Sequence, residues 1–139
     1  MPSDGSLTLE QIDGEAWGEP PADASRLVKT GHELRRKPVS RLDAEDLRLL
    51  LGQRIGVEVL VPYALSLLET NPLAEGDYYP GDLLVTVLEL PAEFWRRHAE
   101  PAARLARVAA IAGTLDLDAH HAPADVISAA LKEYRARRG

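Results

Sequence analysis

An all-α fold, a single domain of about seven short helices around one core, is what the sequence predicts, and three observations carry that prediction. Apolar residues recur with helical spacing along most of the chain. Prolines stand where helices would open, at Pro91, Pro101 and Pro123. The segment richest in β-branched residues, Val85-Thr86-Val87, has no evident partner strand elsewhere. The 139 residues, 45% hydrophobic and 27% charged, suit one domain over 1–139 and leave little room for a second core. The absence of cysteine excludes disulfide scaffolds, thiolate zinc sites and cysteine nucleophiles together.

Residues 1–22, ending in Pro20-Pro21-Ala22, read as an extended or single-turn lead-in. Its apolar anchors are Leu7, Leu9, Ile12 and Trp17, and an indole in so polar an arm is expected to pack onto the domain. From Ala24 to about Arg36 a helix follows, with Ala24, Leu27, Val28, Gly31 and Leu34 on one face. Arg35, Arg36 and Lys37 suit its negative end, and Pro38 closes it. Asp43 caps a second helix, with Leu42 and Leu47 as a hydrophobic staple and Leu47, Leu50, Leu51 and Ile55 as its inward stripe. Gly52, costly inside a helix, suggests the close approach of a neighbour, and Gly56 suits a C-terminal stop.

Pro62 fits the first turn of a third helix running to Thr70. Val61, Ala64, Leu65 and Leu68 form one apolar stripe and Leu60, Tyr63 and Leu67 another, which places this helix centrally. Asn71-Pro72 ends it. Residues 72–82, PLAEGDYYPGD, form a loop. The run 83–90 is expected to be helical, capped by Asp82, with Leu83, Leu84, Val87 and Leu88 on one face. Pro91 opens a short helix holding Phe94 and Trp95. Pro101 opens another with Leu105, Val108, Ala109 and Ala112 inward, and Pro123 the last, with Ile127, Ala130, Leu131 and Tyr134 inward. Arg135, Arg137 and Arg138 complement the negative pole of that last helix.

The net charge of −6 is unevenly placed: residues 1–93 carry −9 and residues 94–139 carry +3. Between Glu69 and Glu93 there is no Lys or Arg at all. Such a field repels phosphate backbones and attracts basic proteins, so nucleic acid is a poor partner. The would-be reading helix of a helix-turn-helix, Ala44 to Ile55, balances Glu45 and Asp46 against Arg48 and Arg54. Adjacent His120 and His121 lack the spacing of a helical zinc pair, so no metal is expected. Nor is a nucleophile motif, a phosphate-binding glycine loop or a calcium loop present, and no cofactor is implied. The start of the chain lacks a basic, apolar leader and no run is long enough to cross a membrane, which predicts a cytoplasmic protein.

What remains is the loop EGDYYPGD. Tyr78 and Tyr79 combine large area, few rotors and a hydroxyl, and Glu75, Asp77 and Asp82 surround them with negative charge. These five residues are the candidate partner-binding set. Adjacent residues seldom both point inward, so one tyrosine of the pair is free to plug the core.

The segments WGEPP (17–21), LRRKPVSRLDAEDLRLLLGQ (34–53), LVPYALSLLETNPLAEGDYYPGDLL (60–84) and LPAEFWRRH (90–98) resemble the all-helical immunity proteins of bacterial contact-dependent growth inhibition systems. The resemblance spans about residues 7–98 and leaves the helical part 101–139 outside. It implies a cytoplasmic, non-catalytic inhibitor that binds the toxic C-terminal domain of a cognate effector and covers its active site or target surface. Many such toxins are nucleases, which tend to be basic because they hold phosphate backbones, and an acidic inhibitor suits them. Two roles stay open for EGDYYPGD: toxin recognition, or construction of the common fold with specificity carried by exposed helix positions or the tail. The alternative function is a helical regulator associated with DNA or a transcription protein.

Overall fold

The computed structural model describes residues 6–14 and 18–138, so Trp17 lies outside the described residues. Among them the chain forms eight α-helices, one 3-10 turn at Val39–Arg41 and two isolated bridges, Thr8 to Pro38 and Glu75 to Pro80, with no strand. The helices are α1 (Leu9–Asp13), α2 (Arg26–Leu34), α3 (Ala44–Gly52), α4 (Val57–Thr70), α5 (Asp82–Leu88), α6 (Ala92–Arg97), α7 (Ala99–Ala112) and α8 (Ala124–Arg138). The all-α expectation is met.

The lead-in does contain a single turn. Thr8 and Gln11 close a reciprocal capping box over α1, and Gly14 at φ 70° ends it. Leu9, 2% exposed, is driven into the core beside Gly56, where an added Cβ would stand 2.9 Å from a Leu9 methyl. Gly56 is therefore the left-handed N-cap of α4 (φ 64°) and not the stop of α3, which ends at Gly52. Gly52 marks no close approach either: a Cβ there would meet nothing within 4 Å.

The basic run at the end of α2 does more than complement a helix pole. Arg35, buried, forks both oxygens of Asp13 at 2.9 and 3.0 Å, and Arg36 reaches Glu19 at 3.1 Å and the Gly18 carbonyl at 2.8 Å. Lys37 donates to Asp46 on α3 at 2.8 Å. With Val39 N donating to Leu7 O at 2.9 Å, these bonds fasten the lead-in and α2 to the body. On α2 itself the expected inward stripe is split. Gly31 and Leu34 are buried, while Leu27 is 50% and Val28 40% exposed, because this peripheral helix packs mainly on α3.

Asp43 caps α3 as expected, accepting from Asp46 N at 2.8 Å, and the staple residues Leu42 and Leu47 are buried. Helix α4 begins at Val57, so Pro62, expected in its first turn, lies in its interior. A proline there removes one backbone bond at a cost of about 3 kcal/mol. Five fully buried side chains, Leu60, Val61, Ala64, Leu65 and Leu68, outweigh it, since each larger one contributes about 1.5–3 kcal/mol. The second stripe is only partly used: Tyr63 is half-buried and Leu67 is exposed.

Helix α5 is the hub, buried at every residue but Thr86 and packed against α3, α4 and α8. The helical expectation for this run is met, but Gly81 and not Asp82 is its N-cap. Pro91 sits at the N-cap of α6 and Pro101 at the third residue of α7, and Leu105, Val108, Ala109 and Ala112 face inward. Arg104 pins α7 to α4 by forking Glu69 at 2.9 and 2.8 Å. On α8, Ile127, Leu131 and Tyr134 are buried in the same core, with Ala130 partly covered. Arg137 turns away from its own helix pole to donate to Leu88 O at 2.6 Å, and Arg54 donates to Glu89 O at 3.2 Å. Two arginines thus neutralise the C-terminal end of α5.

Candidate partner-binding site

The loop between α4 and α5 is built around a carboxylate. Asn71 accepts from Leu73 N at 3.0 Å to start the turn, and buried Leu73 then anchors the loop through its carbonyl, which accepts from Gly81 N at 3.1 Å. Asp82, expected to cap α5 and offer charge to a partner, is instead 3% exposed and points back beneath the loop. One of its oxygens accepts from Gly76 N at 2.7 Å, and the other from Tyr78 N at 3.0 Å and Tyr79 N at 3.4 Å. A buried carboxylate satisfied by several backbone donors fixes a loop in one shape. Two glycines make this possible. A Cβ on Gly76 would lie 3.2 Å from the Glu45 Cα, and Gly81 holds φ 96°.

The second support comes from α3. Glu45 Oε1 accepts from Asp77 N at 2.8 Å, and the Glu45 carboxylate takes a two-pronged bond from Arg48 at 2.7 and 2.5 Å. Arg48 in turn lies 3.9 Å from Asp82 and 4.4 Å from the centre of the Tyr78 ring. One guanidinium therefore joins two carboxylates and an aromatic face. The bond from Arg48 and, after it, the Asp77 amide hold the Glu45 carboxyl below its ordinary value, against the opposing effect of burial. Glu45 raises the Arg48 guanidinium in return. A carboxyl depressed on folding stabilises above its unfolded value and loses that contribution as pH falls through the folded one. Wild type and Glu45→Gln are therefore expected to differ in melting temperature at neutral pH and to converge as pH falls below the ordinary glutamate range, as a pH series of thermal melts will show.

Of the five candidate residues, Glu75, Asp77 and Tyr78 point outward, and Tyr78 is 70% exposed. Tyr79 is the inward member of its pair, half-buried against the core, and its hydroxyl is pushed up in pKa first by burial and then by the charge of Asp82. Asp82 is internal. Glu45 and Arg48 belong to the site although the sequence does not mark them for it. Their spacing of three along α3 marks them as a pair, but nothing local shows that the pair lies under a loop more than thirty residues away.

An open groove of about 550 Å³ runs between the loop, α3 and α2, lined among others by Arg26, Leu27, Leu49, Arg48, Asp77 and Tyr78. The remaining chemistry is sparse. His120 and His121 are exposed in a turn, and no group of three His, Asp or Glu that could hold a metal occurs among the described residues. No helix among them is long and apolar enough to cross a membrane. On α3 the Arg48 head is occupied by Glu45, and just past its end Arg54 donates to the carbonyls of Leu51, Gly52 and Glu89, which leaves the 44–55 segment poorly equipped to hold phosphates.

No curated protein and no solved structure matches the chain. A family model does, over residues 11–105, a span that holds the basic run, the supporting pair on α3 and the whole loop. That family is the CDI immunity proteins, the match covers well over half of the sequence, and the chain belongs to it.

Proposed function

We propose that this immunity protein acts in the cytoplasm and neutralises its cognate toxin without catalysis, by seating the 75–79 loop on the toxic domain and covering the surface that domain needs. The observation that carries the reading is the division of labour in the loop. Asp82 and Glu45 hold the backbone from below, so Glu75, Asp77 and Tyr78 are presented outward on a rigid support. Glu75 and Asp77 carry no ion pair among the described residues and are available to a partner's cations. An exposed, fixed tyrosine beside unpaired carboxylates is the composition of an energetic centre in a protein interface. A basic nuclease domain is the partner chemistry such a surface suits best.

The test uses the toxic C-terminal domain of the cognate effector. Tyr78→Ala combined with Asp77→Lys should weaken binding by about 2 kcal/mol or more, roughly thirtyfold, with an unchanged thermal melt, and cells producing the toxic domain should lose protection. Affinity equal to wild type would remove the loop from the interface. Binding should also weaken as salt rises, since rim charges act mainly through long-range attraction.

A further inference from the structure

We infer that the groove between α2 and the loop is a socket for one apolar side chain of the toxin with a lysine or arginine beside it, so that α2 is the second wall of the recognition surface. The inference rests on the function proposed above and adds to it the chemistry of the segment bound.

Helix α2 supplies the first argument. Its sequence is strongly amphipathic, yet Leu27 and Val28 are left 50% and 40% exposed while Gly31 and Leu34 on the same helix are buried. Leu27 lines the same groove as the Tyr78 ring, itself 70% exposed, with Leu49 of α3 also in the lining. An aliphatic wall opposite an aromatic one is a setting in which an apolar side chain gains from leaving water.

Charge fixes the rest of the occupant. The acids in the groove's lining that belong to α3 are already neutralised, Glu45 by Arg48 and Asp46 by Lys37. Asp77, on the loop wall, has no ion pair among the described residues, and exposed Glu75 stands two residues away. Arg26, on the α2 wall, also lacks one. A cation entering with the apolar side chain is therefore drawn toward the loop and away from α2. A carboxylate would be drawn the opposite way.

Titration calorimetry of the full chain with the purified toxic domain of the cognate effector tests this. Leu27→Ala and Tyr78→Ala should each weaken binding about tenfold with an unchanged melt, since both side chains are exposed. If both grip one side chain, the double variant should weaken binding by clearly less than the product of the two. Asp77→Lys should weaken binding further, and Arg26→Glu should leave it equal or tighter. Wild-type affinity in Leu27→Ala, or a fully multiplicative double variant, would overturn the socket while leaving the loop reading in place. Weaker binding in Arg26→Glu together with tighter binding in Asp77→Lys would assign an acidic occupant instead. A concentration-dependent dimer of the free chain that Leu27→Ala abolishes would give the face to a second copy. Failure of the wild-type chain to bind the toxic domain at all would overturn the proposed function itself, and the socket with it.

Discussion

Replacing Asp82 with alanine is expected to destabilise the protein by about 3–5 kcal/mol, because three partly buried backbone donors lose their only strong acceptor and each costs about 1–3 kcal/mol unsatisfied, with water recovering part of it. The donors are the amides of Gly76, Tyr78 and Tyr79, and Arg48 loses its second carboxylate at the same time. Urea unfolding followed by circular dichroism reads the loss, and Asp82→Asn should fall between alanine and wild type because it keeps an acceptor oxygen in place. Toxin binding should fall with loop order, more than the loss of folded protein alone accounts for. An alanine variant that unfolds at the wild-type midpoint would show that the loop is held by something other than this carboxylate.

The second large effect is expected at Gly81. Its φ of 96° is strained for any residue with a Cβ, and that atom would stand 2.5 Å from the Ile127 Cδ1 and 3.3 Å from Leu73 Cδ2. Backbone strain of about 1–2 kcal/mol and overpacking of about 1–3 kcal/mol together predict that Gly81→Ala loses about 2–5 kcal/mol. The two causes separate experimentally. Ile127→Val removes the clashing methyl, so the double variant should recover the packing part and keep the backbone part, giving a favourable coupling in a double-mutant cycle. Strict additivity would mean that the methyl of Ile127 is not the obstacle. Because α8 lies outside the span matched by the family, this cycle also measures how far the last helix supports the loop.

Local chemistry made much of the fold legible. The Asp43 cap with its Leu42 and Leu47 staple, the stop at Asn71-Pro72, and the inward faces of α7 and α8 depend on residues within one or two turns, where spacing and capping rules apply directly. The structure departs from local rules where a distant partner decides. Pro62 fits a first turn by local rules, yet burial of the residues around it carries the start of α4 back to Val57. Asp82 reads as a cap and becomes the post beneath a loop, because its position at the buried start of α5 turns the carboxylate inward. The pairing of Glu45 with the Asp77 amide crosses 32 residues and leaves no periodic trace. Leu27 and Val28 show the converse: the helical period holds, but the helix lies at the edge and only one flank of its stripe finds a neighbour.

The carboxylates of Glu45 and Asp82 grip the loop through amide hydrogens, which every residue except proline possesses, and so they are indifferent to what side chains the loop displays. Glu75, Asp77 and Tyr78 can then be exchanged for other residues while the scaffold beneath them keeps its shape. A lineage facing an altered toxin has, in this arrangement, a keyboard whose keys are replaceable without rebuilding the instrument.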